Sequence, residues 1–333
     1  MIRAIFLGNL PRHFAEAYDA QTRAALRQYY ALDEHIVTEK ELSADPALGQ
    51  GVQEVFSTWG MPSLREQEIR SLLPDLKIVF YAAGSVQAFA PSFMKCGVRI
   101  VHAAKANALP VAQFVAGLVL LSNKGAWQAM RRNRIGHGVG HAYSNACVGN
   151  YHPTIGIIGV GEIGKLVATR MRSEGWRVLY YDPYLPKAYA DAHGLESRTL
   201  PELFEDSDCI TNHLADKDEL VGVLNDDLFS RMKPYATFIN TGRGRQVNEK
   251  ALIRALRRDR TRTAVLDVTH PEPPRLFSPL RRMRNVVLFP HIAGSLGGEI
   301  ARMGEYVLAD AVRWAQDEPL VYEVRAEQLT TMA

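Results

Sequence analysis

Three side chains in the second half of the sequence have the types that reduction of a carbonyl group requires. Arg243 lies between glycines in the segment INTGRG, and its planar guanidinium is well suited to bind a carboxylate. His291 follows an apolar run in FPHIAGS, and histidine donates and accepts protons near neutral pH. Glu272 lies between two prolines in LDVTHPEPP, where a rigid carboxylate could orient an imidazole. Together they predict hydride transfer to a 2-oxo acid.

Each of these residues, taken alone, has a simpler explanation. An arginine between glycines is more often a surface loop residue, and Pro-Glu-Pro also occurs as a rigid turn. A lone histidine after a strand is more often structural. Their common placement favours chemistry, because each follows a predicted strand and ligands bind at the carboxyl ends of parallel strands.

A dinucleotide-binding site is predicted by the stretch that begins at Thr154. A β-branched run indicates a buried strand, and three glycines follow it with the spacing G-x-G-x-x-G before a helical pattern begins. The first glycine permits a tight turn, the second lets the backbone approach a pyrophosphate, and the third lets the helix pack on the strand. Backbone N–H groups of Glu162 and Ile163 would face the anion. The three glycines are Gly159, Gly161 and Gly164.

Asp182 supports the same interpretation. It ends a second apolar run, 18 residues after Gly164. A carboxylate at this distance can accept both ribose hydroxyls of NAD and would repel the 2′-phosphate of NADP. The sequence therefore predicts NAD as the cofactor, with NADH preferred over NADPH.

Composition narrows the class of protein. A chain of 333 residues is long enough for two domains, and a net charge of +3 argues against a nucleic-acid-binding protein. The longest apolar run, Val111 to Leu121, is too short to span a bilayer, and the first residues resemble a strand rather than a leader. Three separated cysteines without metal-ligand spacing predict a reduced, cytoplasmic compartment and no metal site.

Strand and helix signals alternate along the chain, which predicts an α/β fold with parallel sheets. Two stretches are predicted to lie outside regular structure: a small-residue linker, AAKANALP, before a long helix, and an extended loop over Asn133 to His152. A helix is expected over Phe14 to Tyr30. Strands are expected at Arg3 to Leu7, Val52 to Ser57, Lys77 to Tyr81, Val98 to Val101, Thr154 to Ile158, Val178 to Tyr181, Cys209 to Asn212, Thr237 to Asn240, Thr263 to Val268 and Asn285 to Phe289.

The order GVGEIG, YYDP, INTGRG, LDVTHPEP and PHIAG resembles the D-isomer-specific 2-hydroxyacid dehydrogenase family, from about Leu76 to the end of the chain. The resemblance implies two Rossmann-like or flavodoxin-like domains with parallel sheets. The substrate domain would be discontinuous, residues 1–105 plus 297–333, and the NAD-binding domain would comprise residues 106–296. The resemblance also implies a D-stereospecific, NAD-dependent oxidoreductase acting on a 2-oxo or 2-hydroxy acid, and a homodimer joined around residues 126–152.

The matching motifs carry implied roles for individual residues. Catalysis would fall to Arg243, Glu272 and His291. Substrate contacts are implied for Ala83, Gly84, Ser85, Arg243 and His291, with backbone N–H groups of Gly84 and Ser85 holding the carboxylate. Cofactor contacts are implied at Gly159, Gly161, Glu162, Ile163, Gly164, Asp182, His213, Thr241, Gly242, Arg243, Asp267, His291 and Gly294.

Departures from the family pattern leave the substrate open. The loop after the third predicted strand contains Ala83-Gly84-Ser85 in place of a pattern closer to AGVGVD, and the residues alone fit a ligand loop and a tight turn equally. Tyr81 stands where phosphoglycerate-specific members tend to carry an arginine. An aromatic rim of Tyr81 and Trp59 would favour substrates without phosphate, although packing beneath the loop explains the same residues.

The sequence is also compatible with two other functions. The first is a phosphoglycerate or formate dehydrogenase activity, although formate dehydrogenases resemble a pattern with glutamine at the position of Glu272. The second is an NAD-sensing binding protein of the same fold. Loss of the catalytic histidine, glutamate or arginine would favour that second alternative, and all three are present.

Overall fold

The computed structural model describes residues 1–330, which divide into two compact units. Unit 1 contains residues 1–107 and the described residues from 295 onward, and unit 2 contains residues 108–294. Each unit has its own parallel sheet, so the predicted α/β fold with a discontinuous first domain is confirmed.

Unit 1 is built on a five-stranded sheet in the order β2-β1-β3-β4-β5, the flavodoxin-like order. Successive residues of its strands point to opposite faces. Ile5 and Val79 pack in one apolar cluster, while Phe6 and Phe80 pack in another. The strands are therefore apolar on both faces, as expected for a parallel sheet covered on both sides. Their bounds are β1 Ile2–Leu7, β2 Tyr30–Val37, β3 Glu54–Ser57, β4 Ile78–Tyr81 and β5 Arg99–His102.

The helices of unit 1 differ from the prediction at one place. The single helix expected over Phe14 to Tyr30 is wrong, because Asp19 interrupts it by accepting the backbone N–H of Thr22 at 2.8 Å and starting a second helix. The segment then continues into β2, an edge strand that pairs with β1 and carries several polar residues, which obscured it in the sequence. The helices are α1 Arg12–Ala17, α2 Ala20–Leu26, α3 Glu39–Ala44, α4 Glu66–Leu72 and α5 Ala90–Lys95, and the described C-terminal segment adds the long helix Glu299–Ala315.

The predicted linker before Pro110 is wrong. Residues Ala104–Asn123 form one helix, α6, with Pro110 inside it. The division between the units falls within this helix, after Asn107. Pro110 removes one helical hydrogen bond, and burial of Val115 and Val119 in the core of unit 2 stabilises the helix despite that loss. Length and composition would let α6 cross a membrane, but half of its most apolar window is buried inside the protein, as in a core helix.

Unit 2 has a seven-stranded parallel sheet in the order β12-β11-β10-β9-β6-β7-β8. The chain reverses its direction of strand addition between β6 and β9, which is where doubly wound sheets bind nucleotides. The strands are β6 Thr154–Ile158, β7 Arg177–Tyr181, β8 Glu196–Ser197, β9 Cys209–Asn212, β10 Thr237–Asn240, β11 Thr263–Leu266 and β12 Val286–Leu288. The helices are α7 Ala126–Asn133, α8 His137–Ala146, α9 Glu162–Ser173, α10 Lys187–Ala192, α11 Leu200–Asp206, α12 Asp226–Arg231 and α13 Glu249–Arg258, and Glu299–Ala315 in unit 1 is α14.

The extended loop predicted over residues 133–152 is also wrong, because α8 occupies much of it. Its glycines and histidines are weak helix formers, so no helical period is visible in the sequence. Tertiary contacts compensate. The Tyr143 hydroxyl donates to the carbonyl of Thr261 at 2.7 Å, and Gln128 in α7 donates to the hydroxyl of Thr263 at 2.8 Å.

A buried carboxyl group joins the sheet of unit 1 to α14. Glu54 on β3 is 1% exposed, and its Oε1 accepts the indole N–H of Trp314 at 2.6 Å. The Tyr30 hydroxyl donates to the carbonyl of Ala311 in the same helix at 2.5 Å. Burial raises the pKa of Glu54 to about 7. The fold therefore favours the protonated, neutral carboxyl group.

Glu54→Gln should stabilise the protein more at pH 8 than at pH 5. Because the pKa of Glu54 is higher in the folded state, the protonated carboxyl group contributes fully to the free energy of unfolding below the unfolded pKa. This contribution is lost as pH rises through about 7. Glutamine cannot ionise, so the gain in the free energy of unfolding should be larger at pH 8 by on the order of 2 kcal/mol. Urea unfolding at the two pH values measures this difference. The exposed Glu305→Gln on α14 serves as control, and an equal gain at both pH values for Glu54→Gln would contradict the assignment.

Candidate active site

Arg243 lies in a loop that buried amide side chains hold in place. The Oδ1 atom of Asn240, at the end of β10, accepts the N–H of Gly242 at 3.1 Å and the Nδ2 of Asn212 at 3.0 Å. Oε1 of Gln246 accepts the same Nδ2 at 2.7 Å and the N–H of Arg243 at 3.3 Å. All three amide side chains are fully buried. The backbone on both sides of Arg243 is therefore fixed by the ends of β9 and β10.

The same loop is locked to the loop that follows β11. A Cβ atom on Gly244 would lie 2.0 Å from the carbonyl carbon of Thr269, so no other residue fits without moving the backbone. The glycine that follows Arg243 is thus required by this close approach. The contact between Gly244 and Thr269 brings the INTGRG segment against the segment that leads to Glu272.

Glu272 and His291 form a direct pair. Nδ1 of His291 lies 2.6 Å from Oε1 of Glu272, and both side chains are about half exposed. A carboxylate at Nδ1 selects the tautomer that carries its proton there, which leaves Nε2 to exchange a proton with a ligand. The sequence predicted both residues, and the structure brings them together.

The backbone of His291 has a left-handed conformation, with φ at +57°. This conformation is strained for a residue with a side chain and persists only where neighbouring contacts enforce it. Asp267 supplies them. Its carbonyl accepts the N–H of His291 at 3.0 Å, and its carboxylate accepts those of Ile292 at 2.8 Å and Ala293 at 3.0 Å. Asp267 therefore fixes the backbone conformation that orients the His291 side chain.

This positioning role of Asp267 is not visible in the sequence. The resemblance implied a cofactor contact, yet the side chain is 2% exposed and both oxygens are occupied by backbone N–H groups. The contact with a cofactor stays a prediction. The structural role of the buried amides of Asn212, Asn240 and Gln246 was likewise not predicted, because their hydrogen-bond partners are distant along the chain and no local sequence pattern indicates them.

The glycine loop after β6 matches the chemistry of a pyrophosphate. Gly159 has φ at +84°, and a Cβ there would lie 2.8 Å from the backbone of His213. A Cβ on Gly164 would lie 2.1 Å from the carbonyl oxygen of Gly159. A Cβ on Gly161 would meet no atom of another residue within 4 Å among residues 1–330, its chain neighbours aside. Gly159 and Gly164 are required because a side chain at either position would collide with the backbone. Gly161 instead leaves space for a ligand at the start of α9, where Glu162 and Ile163 form the first turn.

Asp182 follows β7, as predicted, but its oxygens already have partners. Oδ2 accepts the N–H of Val160 at 2.7 Å, and Oδ1 accepts that of Tyr184 at 2.8 Å. These bonds fix the carboxylate beside the glycine loop. Each oxygen has a further lone pair, so the geometry still fits the ribose hydroxyls of NAD.

His213 is held in its neutral form. Its Nε2 lies 3.0 Å from the hydroxyl of Thr211, and its Nδ1 lies 3.4 Å from that of Thr241. Burial lowers the pKa of His213 to about 3. The imidazole therefore carries no charge at neutral pH, and it joins the ends of β9 and β10. Its predicted cofactor contact, like those of Thr241, Gly242 and Gly294, stays a prediction.

In unit 1, the Ala83-Gly84-Ser85 segment follows the carboxyl end of β4. The carbonyl of Ala83 accepts the N–H of Ala103 at 3.0 Å, and that of Gly84 lies 3.1 Å from Nδ1 of His102. The carbonyls are thus engaged by the end of β5, and the side chain of Ser85 is exposed.

Of the two aromatic residues proposed for a rim in unit 1, Tyr81 is a core residue. It is 6% exposed, and its ring packs edge-on against Phe89 with 4.9 Å between centroids. The packing alternative is therefore correct for Tyr81. Trp59 is only partly buried and contacts the ring of His13 at 5.2 Å.

Comparison with known proteins agrees with these features. Residues 118–293 match the family model described as D-isomer specific 2-hydroxyacid dehydrogenase, NAD binding domain. The chain is 30% identical over 256 residues to the glyoxylate reductase of Korarchaeum cryptofilum (strain OPF8), covering 76% of this chain and 77% of that protein.

A second relative is longer than this chain. Identity to the D-3-phosphoglycerate dehydrogenase of Homo sapiens is 30% over 235 residues, which is 71% of this chain but 44% of that protein. The match therefore spans less than half of that relative. The crystal structure of the apo forms of Rhodotorula graminis D-mandelate dehydrogenase superimposes with a TM-score of 0.81 at 22% identity, covering 97% of each chain, which shows a shared fold.

Gly161→Ala should weaken NADH binding and lower the melting temperature only slightly, because Gly161 is the N-cap residue of α9, where alanine is less favourable than glycine. Among the described residues beyond its chain neighbours, the added methyl group meets no atom within 4 Å, but it occupies the space beside the α9 N-terminus where a pyrophosphate would approach. We expect a loss of at least about tenfold in affinity, or roughly 1.4 kcal/mol. NADH fluorescence titration and thermal unfolding measure the two quantities.

Two other glycines provide controls for that substitution. Gly164→Ala should lower the melting temperature, because its Cβ would lie 2.1 Å from a carbonyl oxygen. Gly117→Ala in α6, where a Cβ meets no other described residue within 4 Å apart from the adjacent backbone of its own helix, should leave NADH affinity unchanged and raise the melting temperature slightly, because alanine is the better helix former. Unchanged NADH affinity in Gly161→Ala would show that the pyrophosphate does not bind at this loop.

Proposed function

Because the chain belongs to the D-isomer-specific 2-hydroxyacid dehydrogenase family, we propose that it reduces a small, unphosphorylated 2-oxo acid with NADH to the D-2-hydroxy acid. The observation that carries the proposal is the 2.6 Å pair between His291 and Glu272. A binding protein that senses NAD needs no such pair. An enzyme that exchanges a proton with a carbonyl oxygen does.

The proposed chemistry divides between the cofactor and three side chains. Bound NADH supplies the hydride to the carbonyl carbon. Arg243 binds the substrate carboxylate and polarises the carbonyl, and Nε2 of His291 gives its proton to the carbonyl oxygen. Glu272 holds Nδ1 and stabilises the imidazolium before the proton leaves. In the reverse direction, neutral His291 accepts the hydroxyl proton.

The segment Ala83-Gly84-Ser85 is proposed as a second carboxylate ligand through the backbone N–H groups of Gly84 and Ser85. The support is its position after the carboxyl end of a parallel strand, where such folds bind ligands. A tight turn with no ligand remains the alternative for this segment.

The charges around Arg243 support an unphosphorylated substrate. The neighbouring Arg245 is paired with two carboxylates, with its Nε 2.5 Å from Asp216 and its Nη1 2.6 Å from Asp218. A substrate phosphate would require a further cation with free donors. The two arginines and two aspartates of this cluster instead sum to zero charge.

Turnover of 2-oxo acids tests the proposal. We expect glyoxylate, hydroxypyruvate or a related acid to oxidise NADH, and phosphohydroxypyruvate to be at least about tenfold poorer, since a missing ion pair of this kind costs about 1.5–3 kcal/mol. His291→Ala should slow turnover about 10²- to 10⁴-fold, because the proton exchanger is lost. NADH affinity, followed by fluorescence, should remain within a few-fold.

The exposed His193→Ala is the matched control and should turn over normally. Turnover by His291→Ala within a few-fold of the wild type would show that His291 is not the acid. Turnover of phosphohydroxypyruvate an order of magnitude faster than that of the unphosphorylated acids would favour the phosphoglycerate alternative.

We also propose a homodimer formed through the segment that contains α7 and α8. Large apolar side chains are exposed along it: Met130, Ile135, Val139, Val148 and Tyr151 are between 43% and 83% exposed. Apolar groups in such density on one short segment are typical of a subunit interface.

Light scattering should therefore return twice the chain mass of 37.1 kDa at micromolar concentration. The double variant Ile135→Asp/Val139→Asp should shift the protein to a monomer, because two charges would be desolvated at the interface. Val221→Asp, which changes an exposed valine outside this segment, should leave the dimer intact. A wild-type mass of one chain would refute the proposal.

A further inference from the structure

Asp216 lies between Arg243 of the INTGRG segment and Arg245, the residue that follows this segment. It follows β9, whereas Arg243 and Arg245 follow β10. Its Oδ2 lies 3.4 Å from Nε of Arg243, and its Oδ1 lies 2.5 Å from Nε of Arg245. One carboxylate thus connects the proposed substrate-binding arginine to a second arginine two residues later. None of the motifs that identify the family contains Asp216.

Arg245 anchors this carboxylate. It also contacts Asp218 through Nη1 at 2.6 Å, and the hydrogen bonds to Asp216 and Asp218 raise the pKa of Arg245. The short contact holds Asp216 from one side. The longer contact with Arg243 on the other side leaves that guanidinium only partly neutralised.

Two contacts then determine which nitrogens Arg243 can offer to a ligand. Nη1 donates one N–H to the carbonyl of Gly242 at 2.9 Å, and Nε faces Asp216. In a planar guanidinium, these contacts leave the terminal edge formed by Nη1 and Nη2 for a bidentate, end-on approach to an anion. The side chain is one-third exposed, so solvent and ligand reach it.

We propose that Asp216 is a positioning residue for Arg243 in 2-oxo acid reduction, with Arg245 holding Asp216 in place. The proposal rests on the proposed function, because it requires that Arg243 bind substrate. A long arginine side chain has many rotamers, and a partner at Nε removes most of them before substrate arrives. Asp216 also relieves the repulsion between two neighbouring guanidinium groups.

Two other roles of Asp216 would change the kinetics differently. If Asp216 mainly competed with the substrate carboxylate for Arg243, its removal would lower the KM for the 2-oxo acid. If it mainly fastened its own loop through Arg245, its removal would impair the protein whether or not Arg243 were present. The positioning role predicts a loss that depends on Arg243.

Steady-state kinetics of Asp216→Asn with NADH and glyoxylate, or the best 2-oxo acid of the wild type, test this role. We expect kcat/KM to fall between about 10- and 100-fold with a raised KM for the 2-oxo acid, as small misplacements of a substrate-binding group do. The dissociation constant of NADH should stay within twofold. Asp216→Glu should recover part of the loss.

Asp218→Asn is the matched control, because Asp218 contacts Arg245 but is 94% exposed and has no contact with Arg243 among residues 1–330. It should leave kcat/KM within about twofold. Arg245→Ala should reproduce part of the Asp216→Asn loss.

The sharpest comparison uses Arg243→Lys, which keeps the charge but lacks Nε. In that background Asp216→Asn should change kcat/KM by less than about twofold, because the two residues act as one unit. The same loss in both backgrounds, a lowered KM, an unchanged kcat/KM or a matching loss of NADH affinity would overturn the positioning role. A wild-type protein that reduces no 2-oxo acid would overturn the proposed function itself.

Discussion

The carboxylate of Asp267 accepts two backbone N–H groups from the residues that follow His291, and most of the candidate site depends on that interaction. Without it, a histidine with φ at +57° would relax, and its ring would leave Glu272. Burial makes the interaction strong, because a carboxylate at 2% exposure has no water to replace its partners. The strain at His291 is thus offset by hydrogen bonds made from the end of β11.

Buried polar side chains also hold the other loops of unit 2 in place. Parallel strands end at one edge of the sheet, so their loops converge there without needing sequence proximity. Buried amides of Asn212, Asn240 and Gln246 then tie those loops together, since each polar atom taken from water must find a partner. The result is a rigid frame from which Arg243, Glu272 and His291 extend partly into solvent.

The sequence predicted the parts of the molecule whose physics is local. Gly159 and Gly164 are required because a side chain at either position would collide with the backbone, and apolar runs indicate the strands. It failed where tertiary contacts override local preference, as in α8, and where a polar edge strand such as β2 lacks an apolar period. Asp216 was missed for a related reason: its partners lie on another loop, and no motif connects them.

The pH dependence of catalysis in both directions tests the central claim most directly, because the Glu272–His291 pair can transfer a proton only in the matching ionisation state. Reduction of a 2-oxo acid requires protonated His291, so kcat/KM should fall as pH rises. Oxidation of the 2-hydroxy acid requires the neutral ring, so kcat/KM for that direction should rise as pH rises. The predicted result is two limbs of opposite direction that both disappear in His291→Ala. Limbs of the same direction, or limbs that persist in His291→Ala, would contradict the account.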